Sequence, residues 1–83
     1  MRVEITKPAK KDLRELDETT RERILKALRS MQDHTENADL KKLKGCVDQW
    51  RLRVGDWRVI LEIDQEEEII YAVRIKHRRE AYR

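Results

Sequence analysis

Arginine supplies most of the chemistry this chain could perform. Arg51 and Arg53 alternate with Trp50, Leu52 and Val54, a Gly55-Asp56 pair follows, and a second alternating run begins with Trp57, Arg58 and Val59. Two such runs about a Gly-Asp turn predict a β-hairpin. Residues i and i+2 of a strand share a face, so Arg51 and Arg53 project together, opposite Trp50, Leu52 and Val54. On the return strand Trp57, Val59, Leu61 and Ile63 extend the apolar side, while Arg58 is offset by one onto the cationic side. Arg74 and Lys76 join the same cluster if the last strand pairs beside that one. Guanidinium forks on a rigid sheet suit phosphate oxygens, and they stabilise the charge that develops in phosphoryl transfer without needing a conventional base. The bland alternative is surface pairing with Glu62 or Asp64. Such pairs contribute only ~0–1 kcal/mol each and would not call for clustering.

Other reactive groups are few. His34 falls in a polar stretch and reads as a solvated loop residue. His77, near the end of the last strand, could serve as an acid, as a phosphate ligand or as polar surface. Tyr82 stands amid Arg78, Arg79 and Arg83. Cations favour phenolate over phenol, so its hydroxyl, with a pKa of about 10 when unperturbed, should titrate lower. It could act as a base, stack on a nucleotide, or simply fray at the chain's end. Trp50 and Trp57 continue the apolar face and read as core. Glu66, Glu67 and Glu68 form a solvated like-charge run, so no metal site is expected there, and neither a glycine-rich phosphate loop nor a nucleophile motif is present.

Size and composition bound what can carry these groups. Eighty-three residues predict one domain over 1–83, burying roughly 60% of its unfolded surface. Charged residues make up 45% of the chain, yet its Leu, Ile and Val recur with clear periods, so it should fold around a thin core. The net charge of +3 is unevenly placed: residues 1–40 balance at zero, 41–58 carry +4, 59–73 carry −5 and 74–83 carry +4. Two basic blocks flanking one acidic turn suggest a polyanionic partner. Cys46 is the only cysteine, which excludes an intrachain disulfide and a cysteine-based zinc site and suggests the cytoplasm. The N-terminal residues lack the apolar run of a signal peptide, and no stretch is apolar enough to predict a membrane span or a membrane partner.

The elements that must position the arginines follow from periodicity. Val3 and Ile5 alternate with polar neighbours over 2–6, a first strand stopped by Lys7-Pro8. Leu13 and Leu16 mark a short helix over about 8–16. Asp17, or Thr19 with Glu22, caps a longer helix whose face is Ile24, Leu25, Leu28 and Met31. Residues 33–39 read as a loop, and Leu40 and Leu43 among lysines suggest a helical turn or a hugging segment closed by Gly45. Gln49–Val54, Trp57–Asp64 and a last strand follow; in that last strand Ile69, Tyr71, Val73 and Ile75 alternate with Ile70, Ala72, Arg74 and Lys76. The order is β-α-α-β-β-β, an α+β fold. Two N-terminal helices pack on one face of a small antiparallel sheet and leave the other face uncovered.

The frame Leu40-Lys41-Lys42-Leu43-Lys44-Gly45, then Trp50 to Ile60, then His77-Arg78-Arg79-Glu80-Ala81-Tyr82-Arg83 resembles the RelE/ParE toxin superfamily of bacterial type II toxin–antitoxin systems. The resemblance covers essentially the whole chain. It implies a RelE-like fold, no cofactor, a cognate antitoxin, and one of two activities. RelE-like members are ribosome-dependent endoribonucleases that cut mRNA by 2′-OH attack on the adjacent phosphate without a metal; ParE-like members poison DNA gyrase. Carried over by position, Arg51 and Arg53 fall on the family's paired basic side chains, Arg58 on the arginine of the next strand and Tyr82 on the C-terminal tyrosine. Arg78 is the choice for the second arginine, with His77 and Arg79 as alternatives. The same reading places Lys44, Arg74, Lys76, His77 and Arg79 in contact with substrate. Arginine in place of lysine at 51 and 53 keeps the phosphate clamp but makes proton donation there unfavourable.

Overall fold

The computed structural model describes residues 2–33, 40–42, 49–77 and 79. The chain begins with β1 (Arg2–Ile5), whose Val3 and Ile5 pack toward the core. Helix α1 (Lys7–Arg14) follows at once. Thr6 caps it, its Oγ1 accepting from the Ala9 N–H at 3.4 Å, with Pro8 in the first turn where a missing N–H costs nothing. Helix α2 (Glu18–Asp33) is capped by Asp17, whose Oδ2 accepts from the Thr20 N–H at 3.2 Å. Between the helices, Arg21 donates from Nε to the Leu13 carbonyl at 2.9 Å and from Nη2 to that of Leu16 at 2.6 Å. It thereby ties the start of α2 to carbonyls at and just beyond the end of α1, where that of Leu13 also accepts the Leu16 N–H at 3.1 Å.

Five strands form one sheet. Beyond β1 they are β2 (Leu40–Lys42), β3 (Gln49–Val54), β4 (Trp57–Asp64) and β5 (Ile69–His77), in the spatial order β1-β5-β4-β3-β2. The expected α+β order is present, with one added strand. Three residues that spacing alone made a helical turn or hugging segment pair instead as a strand, Leu40↔Leu52 to Lys42↔Trp50. Backbone pairing to β3 decides their conformation, since three residues carry little intrinsic preference; Leu43 and Gly45, which belonged to the same expectation, lie outside the described residues. The meander from β2 to β5 is antiparallel, but the expectation of an antiparallel sheet throughout is corrected at β1, which adds in parallel to β5, as the long connection through both helices and the intervening strands allows.

The core lies between the sheet and the helices. Leu13, Ile24, Leu28 and Met31 meet Leu52, Val59, Leu61, Ile70, Ala72 and Ile75. In β5 the simple alternation read from sequence is corrected by a bulge. Ile60 pairs with Arg74 but Leu61 pairs with Ala72, so Val73 is the extra residue and the inward set runs Ile70, Ala72, Ile75. One unpaired residue moves every side chain beyond it to the other face. Among the described residues no helix is long and apolar enough to cross a membrane.

Candidate functional site

The face of the sheet opposite the helices is built by β3, β4 and β5. Gly55, at φ 60 in the first central position of the two-residue β3–β4 turn, has the backbone such a hairpin needs and a side chain would resist. The turn fixes the register that pairs Arg53 with Arg58, and β5 continues the row by pairing Lys76 with Arg58. Three cations on three adjacent strands therefore stand directly opposite one another. Opposed like charges destabilise a sheet, so the fold gains nothing from this arrangement.

Arg58 is the centre of the row and differs from its neighbours in burial. It is 5% exposed, whereas Arg53 is exposed and Lys76 half-buried. Its Nη1 donates to the carbonyls of Gly55 and Trp57, each at 3.0 Å, and its Nε is buried without a hydrogen-bond partner among the described residues. One edge of the guanidinium is thus fastened to the hairpin turn. Such a group meets an anion without first being ordered, which is what preorganised charge stabilisation requires.

The next row holds Arg51, half-buried, opposite Ile60, which in turn pairs with Arg74. Arg74 is not presented to the open face in the same way. Its Nε donates to Asp12 Oδ2 at 2.9 Å and its Nη2 to Oδ1 at 3.5 Å, and the same carboxylate accepts the Ile75 N–H at 2.9 Å. Asp12 so covers the edge of β5 that β1 is too short to reach. No feature of the sequence marks this carboxylate beyond its being the only acid in α1, and its partners lie more than sixty positions away.

His77 is set apart from the arginines. It pairs with Trp57, on the helix side of the sheet, and the two rings meet edge to face with centroids 5.2 Å apart at 89°. Its Nδ1 accepts the Arg79 N–H at 3.4 Å, and Arg79 itself is exposed. The placement follows from alternation once Lys76 faces Arg58. Trp50 and Trp57, half-buried, pack against the core. Lys44, Arg78 and Tyr82 lie outside the described residues, as does His34. Among the described residues, no group of three or more His, Cys, Asp and Glu side chains is arranged to hold a metal ion.

On the open row the only side chain able to release a proton is Lys76, since a guanidinium scarcely deprotonates. The described part of the site is accordingly a fixed positive surface with one ammonium at its β5 side. It can bind and neutralise a phosphate, and any base for a hydroxyl must come from another segment.

Residues 3–82 match the family of ParE toxins of type II toxin–antitoxin systems, parDE. A Methanocaldococcus jannaschii protein named as toxin RelE1 is 30% identical over 84 residues, spanning 98% of this chain and 93% of the relative. Among solved structures, the archaeal RelE-RelB complex from Pyrococcus horikoshii OT3 superposes with a TM-score of 0.78 at 30% identity, covering 93% of each chain. The RelB-RelE antitoxin-toxin complex from Methanococcus jannaschii gives 0.78 at 28% identity, over 94% of this chain and 93% of that one. The RelBE2 complex of Mycobacterium tuberculosis, at 22% identity and a TM-score of 0.81, shares the fold. With a match over nearly its full length and a helix-backed sheet like theirs, this chain belongs to the RelE/ParE toxin superfamily of type II toxin–antitoxin systems.

Proposed function

We propose that the protein is a ribosome-dependent endoribonuclease that cleaves mRNA and thereby inhibits translation, and that a cognate antitoxin holds it in check. The observation that carries this reading is the opposed row Arg53, Arg58, Lys76, with Arg58 buried and fastened to the hairpin turn. A surface meant only to bind could place its cations at mobile tips. A held guanidinium is what a reaction that builds charge on phosphate needs.

In this mechanism the 2′-oxygen of a nucleotide attacks its own 3′ phosphate. The O2′–P bond forms, the P–O5′ bond breaks, and the products end in a 2′,3′-cyclic phosphate and a 5′-hydroxyl. Arg58 and Arg78 stabilise the charge on the phosphate oxygens, and Arg51 and Arg53 align the backbone. Tyr82 takes the proton of the 2′-hydroxyl, and Lys76 gives one to the departing 5′-oxygen. The antitoxin is expected to neutralise the open face with an acidic or amphipathic segment; the Methanococcus jannaschii and Pyrococcus horikoshii structures are complexes of RelE with RelB, which supports such a partner.

Primer extension on a reporter mRNA in a ribosome-containing extract tests the reaction. The wild-type protein should cut within codons only when ribosomes are present. Removing one stabilising donor from a reaction of this type costs about 10²–10³ in rate, so Arg58→Ala should fall by that factor, and Tyr82→Phe should fall as well. Intact mRNA together with inhibited supercoiling by DNA gyrase would replace the nuclease with a binding inhibitor.

A further inference from the structure

We infer that Asp12 is a positioning residue for the proposed cleavage: from α1 it holds the bulged end of β5 so that Lys76 stands opposite Arg58, a role that rests on Lys76 being the donor to the departing 5′-oxygen. β1 pairs with β5 only from Ile69 to Ala72, so among the described residues the stretch from Val73 to His77 has a neighbouring strand, β4, on one side alone. Lys76 is the next-to-last residue of that stretch. A strand end held by a single ladder opens most readily, and a proton donor placed there loses its aim.

The bulge decides which way this end of the strand faces. In regular alternation through Val73, Arg74 and Lys76 would turn toward the helices and Ile75 toward the open face. With Val73 as the extra residue, Ile75 is 4% exposed in the core and Lys76 pairs with Arg58. Burial of Ile75 favours this register, but a bulge also frees backbone groups that need partners. Helix α1 and its cap supply them. The Ala72 carbonyl accepts from the Thr6 N–H at 3.0 Å and from Thr6 Oγ1 at 3.1 Å, and the Val73 carbonyl lies 3.3 Å from the same hydroxyl. The Ile75 N–H donates to Asp12 Oδ2 at 2.9 Å.

Asp12 does more than cover one amide. Its side chain is 16% exposed, and the carboxylate also takes Arg74 Nε at 2.9 Å, so it fastens residues 74 and 75 together, immediately before Lys76. A neutral hydroxyl could accept the amide, whereas a carboxylate makes charge-assisted bonds about twice as strong as neutral ones. The same contact draws the Arg74 guanidinium toward α1 and leaves Lys76 as the β5 cation in register with Arg58. The backbone of β5 is thus fixed on its helix side, and the Lys76 ammonium has only its own side-chain freedom to lose when the phosphate arrives.

The test is single-turnover cleavage of mRNA on programmed ribosomes, with the ordinary phosphodiester at the cut site and with sulfur in place of its O5′. In the ordinary mRNA the O2′–P bond forms, the P–O5′ bond breaks, and the proton that Lys76 gives up ends on O5′. In the sulfur mRNA the P–S bond breaks and a thiolate leaves without needing that proton. A misplacement of about 1 Å costs about 100-fold, so Asp12→Ala should cut the ordinary mRNA about 100-fold more slowly than the wild type and the sulfur mRNA at close to the wild-type rate, as Lys76→Ala should. Arg58→Ala should be slow on both. Asp12→Asn keeps an oxygen for the Ile75 N–H and should recover most of the rate on ordinary mRNA. Thr6→Val, which removes the hydroxyl bonds to the bulge, should show the pattern of Asp12→Ala and stands in for it if that variant does not fold. Equal slowing on both substrates would make the contact merely structural and overturn the inference. So would a wild-type rate for Asp12→Ala beside a slow Lys76→Ala, with the acid assignment left standing. A wild-type rate for Lys76→Ala on ordinary mRNA would instead remove the acid, and the role of Asp12 with it, while no cleavage by the wild type would remove the nuclease.

Discussion

At 5% exposure a guanidinium gives up most of its hydration, and Arg58 recovers part of it from the carbonyls of Gly55 and Trp57. Its Nε recovers none from the described residues, and the cross-strand neighbours are Arg53 and Lys76, both cations. Desolvation and like-charge opposition thus act against the fold at one position, and replacing a buried charge by an apolar side chain of similar length is often neutral or stabilising. Arg58→Met is accordingly expected to melt at or above the wild-type temperature while losing mRNA cleavage about 100-fold or more. Paired thermal unfolding and cleavage assays measure both. A drop in midpoint of about 4 °C or more, equivalent to about 1 kcal/mol in a domain this small, would make Arg58 a strut of the hairpin instead.

The two helices are held by side chains close in sequence, yet only part of this was legible in the residues: Thr6 and Arg21 carried no sign of their contacts. For α2 the residues offered Asp17, or Thr19 with Glu22, as the cap, and the Asp17 carboxylate is the one that caps the helix. The hydrogen bonds from Thr20, side chain and then backbone, hold the Asp17 carboxyl below its ordinary value of 3.8. A carboxyl depressed in the folded state binds its proton more readily when unfolded, so its contribution is present above about pH 4 and is lost as pH falls through the folded value. Asp17→Asn keeps a capping oxygen that does not titrate. Below about pH 4 the wild type should therefore lose stability more steeply than Asp17→Asn, as denaturant titrations at stepped pH would read; parallel slopes would remove the cap from the acid response. The hairpin was legible for the same local reason, since its alternation and its Gly55-Asp56 turn lie within sixteen residues. Where long-range pairing decides, the residues gave no sign. Leu40–Lys42 become a strand only through β3, and the extra residue Val73 exists only in the register of β5 against β4. Arg74 sits in the stretch expected to face phosphate, yet it is drawn to Asp12, a partner that no periodicity could name.

Across the whole molecule the open face is divided by charge along the strand direction. Its hairpin end carries Arg53, Arg58 and Lys76 in one row and Arg51 in the next, while the far row pairs Gln49 with Glu62, Glu62 with Tyr71, and Tyr71 with Glu4. Beyond it lies the acidic turn Gln65–Glu68. A polyanion on this face is therefore attracted at one end and repelled at the other, so it should cross the strands along the cationic rows instead of running parallel to them. Glu62 is the test position. It is exposed, accepts a 3.0 Å hydrogen bond from Gln49 Nε2, and is distant enough in register from Arg58 to leave that guanidinium untouched. Glu62→Lys should tighten binding of a single-stranded RNA and steepen its salt slope by about 0.7, the increment for one added phosphate contact. Under the proposed reaction the sites of cleavage should stay where they are, because Arg58 would still hold the reacting phosphate. If affinity and slope do not change, RNA does not approach the acidic end at all. If the cut sites shift, the far row takes part in setting register, and the path of the strand lies along β4.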